Sequence, residues 1–178
     1  MTNQALDRHS SNRLLLTCVL VVLIASFLVS LIQRSFGDVQ VWDVKIPTQN
    51  GQWVVGDLFK PNSATAENPA PFIVVVPGFQ RSKESLSNIA IELARRGFVA
   101  LSIDPYAQGG SSASLSRIAA TTEGYGMFAV VDYAASSENL NYIDRSRIGA
   151  TGHSAGGNAA IRGANYFGRE AQRTGQPS

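Results

Sequence analysis

Five consecutive residues, Phe72 to Val76, are apolar at every position rather than at every second one. A strand with one wet face alternates, so a strand that is apolar throughout must be covered on both faces, as in the middle of a parallel sheet flanked by helices. Pro77-Gly78 ends the run. Downstream, Leu86, Ile89, Ala90, Leu93 and Ala94 recur at helical spacing, with Glu84 in the first turn, Arg95-Arg96 in the last and Gly97 just past the end. Phe98 to Ile103 reads as a second buried strand. Strand, helix, strand in that order is a right-handed crossover, and it predicts an α/β fold with a mostly parallel sheet.

The remaining elements extend this frame. Asp38 to Ile46 and Gln52 to Lys60 are β-rich stretches joined through Asn50-Gly51, which predicts an N-terminal antiparallel hairpin. Pro61 to Pro71 is a polar loop, and a second loop from Asp104 to Ser116 is rich in Gly and Ser. Residues Thr122 to Ser136 predict a helix that is apolar almost all round through Met127, Phe128, Val130, Val131 and Tyr133. Arg147 to Thr151 predicts a third parallel strand. A small-residue helix follows to about Phe167, with Gly168 as its expected stop.

Between that last strand and helix stands Gly152-His153-Ser154-Ala155-Gly156, a G-x-S-x-G pattern in a strand-to-helix context. A residue held on so sharp a turn needs small neighbours two positions either side, which Gly152 and Gly156 supply. Ser154 is therefore the candidate nucleophile, and the Ala155 N–H at the helix start is placed to face a developing oxyanion. The blander reading is a tight turn and nothing more. His153, next to the serine rather than across from it, is expected to support the elbow and not to act as its base.

On these residues the chain resembles the α/β-hydrolase superfamily over residues 38–168. The resemblance implies that Pro77-Gly78-Phe79-Gln80 is the oxyanion loop, with the Phe79 N–H paired to that of Ala155. Pro77-Gly78-Phe79, Ser82-Lys83-Glu84 and Arg96-Gly97-Phe98-Val99-Ala100 are similar to the dienelactone-hydrolase-related and the acetyl- or polyester-esterase-like branch. Ile143-Asp144-Arg145-Ser146-Arg147-Ile148-Gly149 is similar to that branch and to prolyl oligopeptidases. A serine stands where dienelactone hydrolases carry cysteine, which favours ester, thioester or amide cleavage. By the same resemblance Asp104, with Gly109-Gly110-Ser111-Ser112, belongs to a structural loop. Asp144 and Arg145 read as a turn-capping pair, and Trp42, Trp53 and Tyr106 as cleft or hairpin packing.

Ahead of all this, Leu14 to Ile32 is free of charge, and only Thr17, Ser26 and Ser30 interrupt its apolar character. Nineteen residues at about 1.5 Å each cross a hydrocarbon layer of roughly 30 Å. A single-pass membrane anchor is expected at 14–32, a cleaved signal peptide being the competing reading. Arg8 and Arg13 precede the run, so residues 1–13 are expected in the cytoplasm and the hydrolase-like domain on the extracytoplasmic side. Fifteen basic against 13 acidic residues, without a basic run, argue against a nucleic-acid partner. The single cysteine, Cys18, lies inside the apolar run, so no metal or other cofactor is expected.

A serine nucleophile needs an imidazole oriented by a carboxylate, and in the resembled family both follow the elbow. Of the two histidines, His9 precedes the anchor and His153 sits in the elbow. Residues 169–178 form a polar tail too short for further strands, so the hydrolase fold is expected to be incomplete at its C-terminus and the chain an inactive N-terminal fragment. The expected intact protein is a membrane-anchored serine hydrolase acting on a small-molecule or polymeric acyl substrate. The alternative is a non-catalytic, membrane-tethered binding protein or remnant on the same fold. A dinucleotide-binding fold lacks its glycine fingerprint after the first parallel strand.

Overall fold

The computed structural model describes residues 2–33, 35–48, 51–113 and 122–174, in two compact units, Met1–Gly37 and Asp38–Ser178. The first unit holds helix α1, Thr2–Gln33. Its segment Ser10–Ile32 contains an 18-residue stretch with a mean hydropathy of 3.0 and is long and apolar enough to cross a bilayer. The chain leaves α1 through Ser35, Phe36 and Gly37, whose φ values of 47°, 55° and 99° are all left-handed. Arg34 lies outside the described residues.

The second unit is an α/β-hydrolase-like sheet of five strands: β1 (Val39–Pro47), β2 (Trp53–Pro61), β3 (Ala70–Val76), β4 (Val99–Ile103) and β5 (Ile143–Gly152). Their spatial order is β1-β2-β4-β3-β5. β1 and β2 form the expected hairpin, and β2 also runs antiparallel to β4. β3 lies parallel to β4 on one side and to β5 on the other. At the hairpin turn Gly51 has a φ of 75°, whereas Asn50 lies outside the described residues.

The unbroken apolar character of β3 follows from that interior place, paired on both sides. Phe72, Val74 and Val76 face one core with Val54, Leu58, Leu101, Ile103, Met127 and Val130. Val75 faces the other with Val39, Phe59, Ala90, Ala94 and Ala100. Fully burying one such aliphatic side chain contributes about 1.5–3 kcal/mol, so both faces are needed to hold the strand. Helix α2 (Ser87–Arg95) covers the second face; α3 (Met127–Ser136) and α4 (Ala155–Thr174) cover the first.

Four local expectations differ from what is observed. Residues 83–86 form a 3-10 turn ahead of α2, and Ile89 stays exposed while Ala90 and Ala94 carry the contact. α3 begins at Met127 rather than Thr122, because Gly124, Tyr125 and Gly126 take left-handed φ values of 59°, 57° and 97°. β5 is longer than expected: Pro71 pairs with Asp144 and Phe72 with Ile148, so Arg145–Arg147 bulge out between two paired stretches. α4 passes through Gly168 to Thr174, since a glycine in a helix interior costs only about 1 kcal/mol and Glu170 and Arg173 pair one turn apart beyond it. Residues 114–121, the far end of the Gly- and Ser-rich loop with Ser116, and the tail 175–178 lie outside the described residues.

Candidate active site

Ser154 sits on the turn between β5 and α4 with a φ of 55°, a left-handed conformation that costs a non-glycine residue about 1–2 kcal/mol. Backbone contacts hold it there. His153 N–H donates to the Val76 carbonyl at 3.2 Å, Gly156 N–H to the His153 carbonyl at 2.9 Å and Asn158 N–H to the Ser154 carbonyl at 3.1 Å. A Cβ on Gly152 would lie 2.5 Å from the Val76 oxygen, and one on Gly156 would lie 2.0 Å from it. Both glycines are therefore fixed by contact with the end of β3. The side chain of Ser154 is exposed, and among the described residues its hydroxyl meets no hydrogen-bond partner.

Gly78 closes the other side. A Cβ at that position would lie 3.4 Å from Ser154 Cβ and 3.3 Å from His153 Nδ1, so the chain leaving β3 passes directly beside the serine. Arg81 N–H returns to the Gly78 carbonyl at 3.2 Å, and Gln80 supplies the positive φ of 56° that this turn needs. Between them Phe79 is 69% exposed. Among the described residues neither the Phe79 nor the Ala155 N–H donates to a protein acceptor. Two unused amides, the N-terminus of a 20-residue helix and an exposed hydroxyl thus gather at one end of the sheet, an electropositive spot suited to negative charge.

Asp104 is only 2% exposed and lies on β4's side of β3, away from the elbow. Its carboxylate accepts the Lys83 N–H at 2.7 Å and the Gly110 N–H at 2.8 Å, while its carbonyl accepts Ser111 Oγ at 2.6 Å. Trp53 Nε1 donates to the Gly110 carbonyl and carries Lys45 over its ring, so it packs the hairpin rather than a cleft. Trp42 is half exposed on the edge strand. Tyr106 is buried with its hydroxyl on Thr48 Oγ1, and burial pushes its phenol above the ordinary range. Asp144 caps its bulge through Ser146 and Arg147, whose hydrogen bonds hold the carboxyl down at about 2.

The residue that sequence reasoning passed over is Lys83, only 8% exposed. Its Nζ lies 2.6 Å from Asp57 and 2.9 Å from Asp43. A signal for it existed in the hairpin register, which places Asp43 directly opposite Asp57. Like charges at facing positions repel, so that pair calls for a cation between them. Desolvation alone would lower the ammonium's pKa, but the two carboxylates outweigh it and push it up to about 12. Among the described residues no three His, Cys, Asp or Glu side chains gather as a metal site.

Comparison with known proteins gives this geometry its relatives. The PETase family, described as PET hydrolase-like, matches residues 27–171. A bis(hydroxyethyl) terephthalate hydrolase of Streptomyces coelicolor is 28% identical over 110 residues, covering 61% of this chain and 33% of that protein. Among solved structures, the α/β-hydrolase GrgF from Penicillium sp. sh18 aligns with a TM-score of 0.60 at 24% identity, over 73% of this chain and 43% of that one. Ferulic-acid-bound Est1E from Butyrivibrio proteoclasticus aligns with a TM-score of 0.60 at 23% identity, over 71% and 48%. The chain thus spans about a third of the curated relative and under half of these structures.

Proposed function

The chain belongs to the PET hydrolase-like family, and from that premise we propose that it forms the nucleophile-bearing part of a membrane-anchored ester hydrolase working through an acyl-Ser154 intermediate. Ser154 Oγ attacks the ester carbonyl and gives up its proton to an imidazole. The carbonyl oxygen, now negative, takes hydrogen bonds from the Phe79 and Ala155 N–H groups. The imidazolium returns that proton to the leaving oxygen as the tetrahedral species collapses and the alcohol departs, and water, deprotonated by the same imidazole, then attacks the acyl-serine to release the acid and restore the serine. Gly152 and Gly156 permit the turn, and His153 supports it by lying against Gly78. The observation that carries this reading is the left-handed Ser154 wedged against the end of β3 by two glycines that admit no side chain.

The imidazole and its carboxylate are assigned to sequence beyond residue 178, in keeping with the chain's spanning a third to a half of its relatives. The substrate class proposed is a carboxylic ester with an aromatic acyl group. The relative's named substrate is of that kind, and the exposed Phe79 ring offers a surface for it. Helix α1 is proposed as the anchor, with the hydrolase unit outside the cytoplasm.

The test is reaction of the intact natural protein with a fluorophosphonate probe and with p-nitrophenyl acetate, beside Ser154→Ala. Labelling and turnover that both vanish in the variant are expected. Labelling that persists in Ser154→Ala defeats the assignment. A natural protein that binds esters without labelling or turnover supports instead a tethered binding protein, the reading favoured by the lack of any partner for the Ser154 hydroxyl among the described residues. Orientation is tested with Ser63→Cys and a membrane-impermeant maleimide, where modification only after permeabilising the cell would reverse it.

A further inference from the structure

The buried Lys83 network has no part in the reaction just described, yet it fixes the far end of the loop that carries Phe79. The ammonium bridges Asp57 at 2.6 Å and Asp43 at 2.9 Å, tying Lys83 to the β1–β2 hairpin. Its backbone is held as firmly, on the β4 side: the N–H donates to Asp104 Oδ1 at 2.7 Å, and the carbonyl accepts Ser102 Oγ at 2.7 Å. Each of these partners is itself fixed. Ser102 is buried within β4, Asp104 is also bound to the Gly110 N–H, and Asp57 pairs with both Asp43 and Ser102 in the sheet register. Lys83 is thus clamped through side chain and main chain to three strands, β1, β2 and β4, that do not contain the elbow.

Upstream, the loop has one other fixed end. Gly78 abuts Ser154 and His153, and from there only Phe79, Gln80, Arg81 and Ser82 lead to Lys83. Within that span Arg81 N–H bonds both to the Gly78 carbonyl at 3.2 Å and to Gln108 Oε1 at 3.0 Å. A four-residue bridge held at both ends has little freedom left to rotate its peptide planes. The direction of the Phe79 N–H is therefore set by where Lys83 stands as much as by where Gly78 stands.

We propose that Lys83 is a positioning residue: its bridge to Asp43 and Asp57 holds the Phe79 amide on the line toward the oxygen that becomes negative at Ser154. The inference rests on the ester-hydrolase reading above and adds to it a dependence on the N-terminal hairpin. Loss of the bridge leaves Ser154 and its elbow in place and loosens one donor. A loosened donor weakens transition-state binding more than substrate binding, since the neutral carbonyl uses it less.

The test uses the intact natural protein with Lys83→Met, which keeps the apolar stem, and Lys83→Arg, which keeps the charge. Hydrolysis of p-nitrophenyl acetate and inhibition by phenylboronic acid, whose adduct with the serine is tetrahedral, are read side by side. For Lys83→Met the expected result is a kcat lower by about 10- to 100-fold with KM within about twofold, because removing one oxyanion donor outright costs about 10²–10³. The boronic acid's Ki should rise in step with the fall in kcat, and Lys83→Arg should recover most of both. A folded Lys83→Met with kcat and Ki within twofold of the natural protein overturns the proposal, as does a loss that Lys83→Arg does not relieve. If Lys83→Met shows no cooperative melt, Asp57→Asn is read in its place, with a parallel change in kcat and Ki expected and an unchanged pair overturning the proposal. Turnover lost in Ser154→Ala but unaffected by Lys83→Met removes this inference alone; turnover retained in Ser154→Ala removes the serine reading and this one with it.

Discussion

Gly156→Ala isolates the close approach on which the elbow depends. The added Cβ would stand 2.0 Å from the Val76 oxygen, 2.6 Å from the Val76 carbonyl carbon and 2.7 Å from the Pro77 oxygen. Carbon and oxygen do not pack closer than about 3 Å, so α4 and the end of β3 must part by about 1 Å; forcing an added methyl into a packed site typically costs about 1–3 kcal/mol. Alanine's better helix propensity returns up to about 1 kcal/mol of this. A backbone clash of this depth belongs at the upper end of that range, so about 1–2 kcal/mol remains, and at about 2–4 °C per kcal/mol for a chain of this size the melting temperature should fall by about 2–8 °C. The effect on chemistry should be larger, because the displaced segment leads straight into Gly78 and Phe79, and a misplacement of about 1 Å can cost about 10²-fold in rate. Gly149→Ala, in β5 just ahead of the elbow, is the control: its Cβ would meet nothing within 4 Å. The assay is a thermal melt of the intact protein alongside its rate of fluorophosphonate labelling. A Gly156→Ala protein that melts and labels as the natural one does, within the scatter of Gly149→Ala, would refute the steric argument.

Other consequences are independent of that contact. Ser154→Gly should melt higher than Ser154→Ala by the equivalent of about 1 kcal/mol, since glycine adopts the 55° φ without the Cβ penalty; equal melting of the two would argue that the turn is relaxed. Asp104→Ala strands the buried Lys83 N–H donor while the exposed Gly110 N–H turns to water, and should lower stability to denaturant by about 1–3 kcal/mol. The Lys83 ammonium has a folded pKa of about 12, above its usual 10.5, so its contribution to stability is complete below about pH 10.5 and is lost as pH rises through about 12. Thermal melts between pH 9 and 12 should show this loss in the natural protein and a shallower one in Lys83→Met. Leu23→Arg places a charge in the middle of the apolar segment of α1 at a cost of about 2.5–3.5 kcal/mol, and the protein should then leave the membrane fraction on alkaline extraction.

The parts of the fold legible in the sequence were those set by local periodicity and by backbone sterics. Phe72–Val76 declares a strand covered on both faces, and its neighbours Phe98–Ile103 and Gly152–Gly156 then have few places to go. What escaped was set by interactions between distant segments. The start of α3 slipped to Met127 because Gly126 packs against Val54 and Tyr106, where a Cβ would lie 2.8 Å from Val54 Cγ2, and no pattern within residues 122–136 contains that neighbour. The bulge in β5 is stabilised by Asp144 within its own turn but is registered only against Pro71 and Phe72. Lys83, noted in the sequence only as part of Ser82-Lys83-Glu84, gained a role once Asp43 and Asp57 were brought face to face. Gly168 misled in the opposite way, since its small local penalty was overridden by the helix continuing on either side.

The register of the sheet explains why the candidate site is built from two loops and not three. β3 and β5 run parallel with Val76 opposite Gly152, so the residue two beyond each, Gly78 and Ser154, must meet, and their side-chain positions do lie 3.4 Å apart. One further residue along the chain from each come Phe79 and Ala155, whose amides are those proposed to hold the oxyanion at Ser154. β4 ends at the same edge of the sheet with Asp104, but β3 stands between it and β5. Asp104 therefore reaches the site only by way of the loop it braces, through Lys83. The chemistry proposed for Ser154 and the brace proposed for Lys83 are in this sense two results of one topological fact, the placement of β3 between β4 and β5 with its end left free to touch both neighbours.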